Sequence, residues 1–226
     1  RSTIFKHFCG GETIQDCQKT IDTLGRYDIG TILDYSVEGK ESDEDFQNAL
    51  DETLATIARA KGDKNIPFSV FKPTGFAKVA LLEKKNAGIE LSTKEKLEYD
   101  KFLDRIYKIC QAGYDADVPI FIDAEHSWTQ DIVDEVAREM MKSFNKEKVI
   151  IYNTLQMYRT DRLEYMKESI AHAKANNYMN GFKIVRGAYM EIERERAMKH
   201  NYRSPIQPDK ISADRDYNTA LKIALD

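Results

Sequence analysis

The chain has 226 residues, with 34 Lys and Arg, 38 Asp and Glu, and a formal net charge of −4 at pH 7. Hydrophobic residues make up 42% of the chain and charged residues 32%, which excludes a disordered tail, a collagen-like repeat and a coiled-coil rod. The mild acidity argues against a nucleic-acid partner, which would need a clustered basic face. No apolar run approaches the roughly 18 residues that a membrane-spanning helix needs.

The predicted elements alternate between short apolar strands and amphipathic helices. In chain order the predicted strands are Ile29–Asp34, Pro67–Lys72, Val118–Asp123, Val149–Thr154 and Phe182–Arg186. Capping boxes at Ser42 with Asp45 and at Ser92 with Glu95 predict the starts of two helices. We expect the second of these to end at Gly113. Apolar periodicity predicts two further helices, and the chain closes in another, Tyr217–Asp226.

This alternation predicts an α/β fold with a parallel sheet covered by helices. A doubly wound nucleotide fold normally carries a glycine-rich turn after its first strand, and the sequence has neither GxGxxG nor a P-loop. Polar residues at the strand ends favour a (β/α)8 TIM-type barrel instead. Five strands are too few for a closed barrel. We therefore expect one domain over 1–226, with a helical lead-in at 1–28 and the last three strands and the final helix missing.

Polar side chains follow every predicted strand, as they do at the active edge of a barrel. They are Asp34, Lys72, Asp123, Glu125, Asn153, Gln156, Arg186 and Tyr189. Lys72 at a strand end could anchor a carboxylate or, if desolvated, form a Schiff base. The alternative for Lys72 is a solvated loop lysine, and the sequence alone leaves both interpretations open.

Asp123 and Glu125 are two residues apart and would point the same way if the strand continued through them. Such a pair could bind a metal or act as acid and base, while Glu125 could instead cap the next helix. The four histidines show no HxH or HExxH spacing and no CxxC is present, so we expect no metal site. Three widely spaced cysteines fit a reducing compartment.

The segment 181–190 is the most specific part of the sequence. Lys183 lies inside a predicted buried strand, where an unpaired cation is costly, although it could instead extend to the sheet end. Alternation places Ile184 and Arg186 on the face opposite Lys183. Gly187 and Ala188 would let the backbone approach a planar ligand.

Five stretches of the chain resemble the proline dehydrogenase family of flavin-dependent (β/α)8 barrels. They are ILDYSVEG (32–39), VFKPTG (70–75), FIDAEHS (121–127), YNTLQMY (152–158) and FKIVRGAYMEIERERA (182–197). They occur in the family's order and cover essentially the whole chain. The resemblance implies FAD as cofactor, L-proline as substrate, oxidation to 1-pyrroline-5-carboxylate and a quinone electron acceptor at the membrane.

The resemblance also implies roles for individual residues. Lys72 matches the lysine that pairs with the proline carboxylate, and Asp123 matches an aspartate of the proline pocket. Tyr189 and Ala188 match residues that pack around the substrate ring, and Ile184 matches an apolar lining residue. The residues that match cofactor-binding positions are Gln156, Lys183, Arg186, Gly187 and Ala188. Many members have arginine at the position of Lys183, and a lysine supplies one point donor rather than a fork.

Two other functions stay open at this level. One is an aldolase-type barrel with a Schiff base on Lys72 or Lys183, and the other is a non-catalytic barrel fragment. Because the family's later strands carry a histidine beside the cofactor and a late arginine pair, we expect a polypeptide of these residues alone to bind FAD poorly and to be inactive. By analogy we expect a cytoplasmic protein that contacts the inner membrane peripherally.

Overall fold

Five parallel strands form the centre of the molecule, in a computed structural model that describes residues 10–35 and 41–225. The strands are β1 (Ile32–Leu33), β2 (Phe68–Phe71), β3 (Ile120–Ile122), β4 (Ile151–Gln156) and β5 (Phe182–Val185). All four neighbouring pairs are parallel, and the order across the sheet is β1-β2-β3-β4-β5. The order therefore follows the chain without a reversal, whereas a doubly wound sheet reverses at its switch point.

Eight α-helices accompany the strands in the described part of the chain. They are α1 (Ile14–Gly25), α2 (Asp43–Ala60), α3 (Val79–Asn86), α4 (Thr93–Ala116), α5 (Ser127–Phe144), α6 (Arg162–Ala175), α7 (Met190–Lys199) and α8 (Lys210–Leu225). Each crossover between neighbouring strands contains at least one helix, as parallel pairing requires. None of these helices is both long enough and apolar enough to cross a membrane.

The predicted strands are all present, with shifted ends. β1 shrinks to two residues, while β4 runs on to Gln156 because its ladder with β5 extends to the pair Gln156 and Val185. Part of the ILDYSVEG stretch, residues 36–39, and part of the predicted lead-in, residues 1–9, lie outside the described residues. Both predicted capping boxes are confirmed, since Ser42 and Ser92 each accept a hydrogen bond from the backbone of the acidic residue three positions on.

The prediction that Gly113 ends α4 is wrong. The helix continues to Ala116 and ends at Asp117, which takes the left-handed conformation at φ 57°. A Cβ at Gly113 would come within 2.5 Å of Ile120 Cγ1. The glycine therefore lets α4 pack closely against β3, and the helix stops three residues later.

The two faces of the sheet differ in burial. The apolar helix-facing side chains of β2, β3 and β4 are almost completely buried, and those in the main apolar core include Phe71, Ile120, Ile122 and Ile151. On the other face Phe68 stacks on Phe121 at 4.4 Å, and Tyr152 contacts both rings edge-on. In a barrel this second face is the interior, and its half-buried aromatic side chains lie beneath the polar strand ends.

A buried polar network lies behind β4. Asp134 of α5 pairs with Arg162 of α6 at 2.6 Å, and both side chains are only 4% exposed. Gln130 and Asn153 each donate to Asp134 Oδ1 at 2.9 Å. Since Gln130 also accepts the backbone N–H of Glu125 at 3.1 Å, the network joins α5 and α6 to the loop after β3.

We expect Asp134→Asn to destabilise the fold by about 1.5–3 kcal/mol, because Arg162 loses the charge of its buried partner and keeps only Asp161, whose side chain is 45% exposed. The matched control is Asp104→Asn, which breaks the exposed pair of Asp104 with Lys108 and should cost less than about 1 kcal/mol. Urea unfolding of the two variants beside the wild type measures both values. Equal losses from the two variants would contradict a structural role for the network.

Candidate active site

The predicted site residues of three neighbouring strands lie at one edge of the sheet. Lys72 directly follows β2, Asp123 directly follows β3 and Gln156 ends β4. Parallel strands present their carboxyl ends at the same edge, so all three residues lie at this edge, with Gln156 further along its strand than Lys72 and Asp123. Lys183 comes from the next strand, β5, and is paired in register with Thr154 of β4.

Asp123 and Lys183 form an ion pair across the sheet. Lys183 Nζ lies 2.5 Å from Asp123 Oδ1, and the side chains are 30% and 20% exposed, respectively. Thr154 Oγ1 lies 3.3 Å from the same carboxylate oxygen, and the Lys183 ammonium lies 5.3 Å from the centre of the Phe121 ring. An unpaired cation at Lys183 would be costly inside the barrel, but the Lys183 ammonium is paired and stays partly accessible to solvent at the edge of the sheet.

Asp34 at the end of β1 joins this cluster, although sequence reasoning gave it no role beyond its place at a strand end. Its carboxylate reaches solvent, yet desolvation by surrounding protein atoms raises its pKa above the usual value. The neighbouring Asp123 raises the pKa further, and Lys72 and Lys183 oppose the rise. Four charged groups from four strands therefore share one electrostatic environment.

Hydrogen bonds to Glu125 connect the loop after β2 with the loop after β3. Its buried carboxylate accepts hydrogen bonds from Thr74 N at 3.0 Å and from Thr74 Oγ1 at 2.5 Å. Desolvation raises the pKa of Glu125, while the bonds from Thr74 and the charge of Lys72 lower it in part. The N-cap of α5 is His126, so the partner of the Glu125 carboxylate is Thr74 and not the next helix.

Gln156 is buried, and its side-chain nitrogen and oxygen differ in hydrogen bonding. Its Nε2 donates to the backbone oxygen of Glu125 at 2.8 Å, and its Oε1 has no hydrogen-bond partner among the residues that the structure describes. An unpaired buried acceptor is costly and marks a place where a donor from a ligand would be favourable. The register places Gln156 two residues beyond Thr154, on the interior face of β4.

Tyr189, in the loop after β5, contacts the loop that follows β3. The Tyr189 ring lies 4.5 Å from the ring of His126, which immediately follows Glu125. Lys72, Asp123, Gln156 and Tyr189 are thus connected through the loop 123–126. All four are among the polar residues that the sequence places after the predicted strands.

Arg186 and Gly187 face a different part of the surface. Arg186 Nε pairs with Asp214 of α8 at 2.5 Å, and its guanidinium lies 4.5 Å from the Tyr217 ring. Gly187 has φ 134°, and a Cβ there would lie 2.5 Å from the Tyr158 ring. Together with Ala188 and Tyr189 they line an open groove of about 660 Å³ between this loop, α7 and α8. The close approach that Gly187 permits is made to Tyr158.

Ile184 lies away from the charged cluster. It sits on the helix-facing side of β5 and packs against an apolar cluster whose buried members are Leu155, Met157, Met166 and Ala220. The structure therefore does not bring Ile184 together with Lys72 and Asp123. Its predicted role as a pocket lining stays a prediction without support from this geometry.

Residues 17–226 match the family model described as proline dehydrogenase. The chain is 31% identical over 214 residues to the carbapenem antibiotics biosynthesis protein CarD of Pectobacterium carotovorum subsp. carotovorum, with 95% of this chain and 56% of that protein covered. It is also 31% identical over 262 residues to proline dehydrogenase 1, mitochondrial, of Dictyostelium discoideum, with 99% of this chain and 46% of that protein covered. The chain thus spans about half the length of these relatives.

Solved structures share the fold. Proline utilization A from Bdellovibrio bacteriovorus, inactivated by N-propargylglycine, superimposes with a TM-score of 0.83 at 18% identity, covering 97% of this chain and 24% of that chain. A proline utilization A variant from Bradyrhizobium japonicum gives a TM-score of 0.74 at 19% identity, covering 95% and 22%. The fold is of the (β/α)8 barrel type, with five parallel strands present here. By its sequence match from residue 17 to residue 226, the chain belongs to the proline dehydrogenase family.

Proposed function

We propose that this chain forms the core of an active site that oxidises L-proline to 1-pyrroline-5-carboxylate by hydride transfer to FAD. The observation that carries the proposal is the cluster of charged side chains at the carboxyl edge of the sheet, in a chain of this family. Its cations and carboxylates complement the two charges of an amino acid. FAD, when bound, supplies the acceptor for the hydride.

The residues at the edge fit a flavin. Gln156 Oε1 offers a buried acceptor to a ring N–H, and Lys183 offers a cation on the interior face of the barrel. A cation near the ring stabilises negative charge that develops there during reduction. We assign Gln156 and Lys183 to the cofactor with this support, and Arg186, Gly187 and Ala188 on the weaker ground that they line the neighbouring groove.

The substrate would be oriented by charge and by packing. Lys72 would act as a point charge toward the proline carboxylate, and the Asp123 carboxylate would offer a negative charge to the proline amine. Tyr189, with Ala188 beside it, would pack against the apolar ring of proline. Holding the carbon that gives up hydride in one orientation is the main contribution of these residues to the rate.

Electron transfer to a quinone and a peripheral position at the inner membrane, on its cytoplasmic side, complete the proposal. They are supported by the family resemblance alone. The eukaryotic relatives carry mitochondrial names, so the compartment depends on the source of this chain. We expect a polypeptide limited to these five strands to be inactive, so activity is to be measured on a protein that contains the complete barrel.

The geometry disfavours a Schiff-base mechanism on Lys183. Lysines that form Schiff bases are desolvated in apolar pockets or lie beside another cation. Lys183 Nζ instead contacts the Asp123 carboxylate. No observation in the structure favours the aldolase or the non-catalytic alternative over the oxidation of proline.

The proposal predicts that the flavin-loaded protein loses its visible flavin absorbance when proline is added without an electron acceptor.

Lys72→Met should raise the KM for proline about 10- to 100-fold, because a hydrogen bond to a charged group is worth about 1.5–3 kcal/mol. Lys94→Met removes an exposed lysine from the first turn of α4 and should leave KM unchanged. A wild-type KM in Lys72→Met, with FAD bound normally, would refute the anchoring role of Lys72.

The raised pKa of Asp34 predicts a cost in stability at neutral pH. A carboxyl group whose pKa is higher in the folded state than in the unfolded state favours folding when protonated, so its ionised form opposes folding. Asp34→Asn should therefore stabilise the protein at pH 7. This gain should shrink as the pH falls through the folded pKa and vanish below the ordinary value of 3.8. Thermal unfolding across this pH range measures the difference, and a variant less stable than the wild type at pH 7 would contradict the prediction.

A further inference from the structure

Helix α7, which directly follows Tyr189, is held in place mainly by polar contacts. Its buried residues are Glu193 and Ala197 only. Its large apolar side chains Met190, Ile192 and Met198 are 42%, 50% and 78% exposed. Burial of apolar surface therefore contributes little to the position of this helix, and specific hydrogen bonds must determine it.

Glu193 is the most deeply buried residue that makes such contacts. Its side chain is completely buried, and its two carboxylate oxygens accept hydrogen bonds from Ser127 N and from Ser127 Oγ, both at 2.6 Å. Ser127 is the first residue of α5, 66 positions earlier in the chain. The contact therefore joins α7 directly to the loop that leaves β3.

The start of α5 lacks a cap of its own. Its N-cap residue is His126, whose side chain makes no capping hydrogen bond. The first backbone N–H groups of a helix have no partner within the helix, and a carboxylate beside them is favourable for the helix dipole. Glu193 supplies both the acceptor and the negative charge from another helix.

The same arrangement fixes Tyr189. The backbone N–H of Glu193 donates to Tyr189 O at 2.9 Å, which closes the first turn of α7. The Tyr189 ring contacts His126, the residue directly before Ser127. Tyr189 and Glu193 thus contact the consecutive residues His126 and Ser127, respectively. A shift of α7 would therefore move the Tyr189 ring.

A second attachment lies at the other end of α7. Arg196 pairs with Glu83 of α3, and its guanidinium lies 4.3 Å from the Trp128 ring. Trp128 in turn stacks on His126 at 4.3 Å. These partners are all partly exposed, whereas Glu193 is completely buried, so its hydrogen bonds to the half-buried Ser127 are less weakened by solvent.

We propose that Glu193 is a positioning residue for substrate binding: by capping α5 from α7, it holds Tyr189 beside the loop 123–126 that carries Asp123. This inference rests on the proposed function, in which Tyr189 packs against proline. Glu193 itself contacts neither the substrate nor the cofactor. Its loss should weaken substrate binding more than it slows the chemical step.

The test compares Glu193→Ala and Glu193→Gln with the wild type in the full-length, FAD-loaded protein. We expect Glu193→Ala to raise the KM for proline about tenfold or more with a smaller change in kcat, because the lost contact serves ground-state packing. Glu193→Gln keeps one acceptor for Ser127 N and should recover part of the loss. Glu195→Ala removes an exposed carboxylate from the same helix and serves as the control with wild-type kinetics.

Hydrogen exchange followed by mass spectrometry supplies a readout that does not depend on turnover. The peptides that contain Ser127 and residues 186–192 should exchange faster in Glu193→Ala than in Glu195→Ala, at equal flavin content. A wild-type KM in Glu193→Ala, or equal changes in both variants, would overturn the inference. If the wild type does not reduce its flavin with proline, the proposed function is wrong. The exchange data then still show whether the contact of Glu193 with Ser127 holds α7 in place. Should Glu193→Ala fail to fold, Glu193→Gln decides the question, since its KM must exceed that of the wild type.

Discussion

The requirement that charges on the interior of a parallel barrel be paired governs the rest of this site. Lys183 projects from the interior face of β5, and its ion pair with the carboxylate of Asp123, two strands away, offsets the cost of placing a cation there. The pair lies at the carboxyl edge, where a fifth to a third of each side chain stays accessible. Solvent and ligand can thus reach charges that would be too costly deeper in the barrel. Asp34, Lys72 and Glu125 gather around the same pair and share its field.

Much of this arrangement could be predicted from the sequence because it depends on local patterns. Apolar runs predicted the strands, and serine–acid pairs predicted the starts of two helices. The alternation of strands and helices predicted that the strands pair in parallel. Parallel pairing alone then puts Lys72, Asp123 and Gln156 at one edge. The prediction that Gly113 ends α4 was wrong because a glycine can either end a helix or permit close packing. The contact with Ile120, which local sequence patterns do not reveal, shows that Gly113 permits close packing.

The features that sequence reasoning missed depend on contacts between distant segments. Nothing local in the sequence shows that Glu193 reaches Ser127, that Glu125 holds Thr74, or that desolvation raises the pKa of Asp34. Ile184 illustrates the same limit: alternation placed it opposite Lys183, yet the family resemblance assigned it to the pocket, and the structure packs it against helices. The site is therefore built from local strand ends, while its precision depends on buried long-range hydrogen bonds.

The most direct test of this account is a double-mutant cycle on Asp123 and Lys183, read as the rate of flavin reduction by proline in the FAD-loaded protein. The variants are Asp123→Ala, Lys183→Met and the two combined. The account predicts that both single variants slow reduction and that the combined loss falls short of their sum, with a coupling of about 0.5–3 kcal/mol. Strictly additive losses, or wild-type reduction rates in the single variants, would contradict the central role of this ion pair.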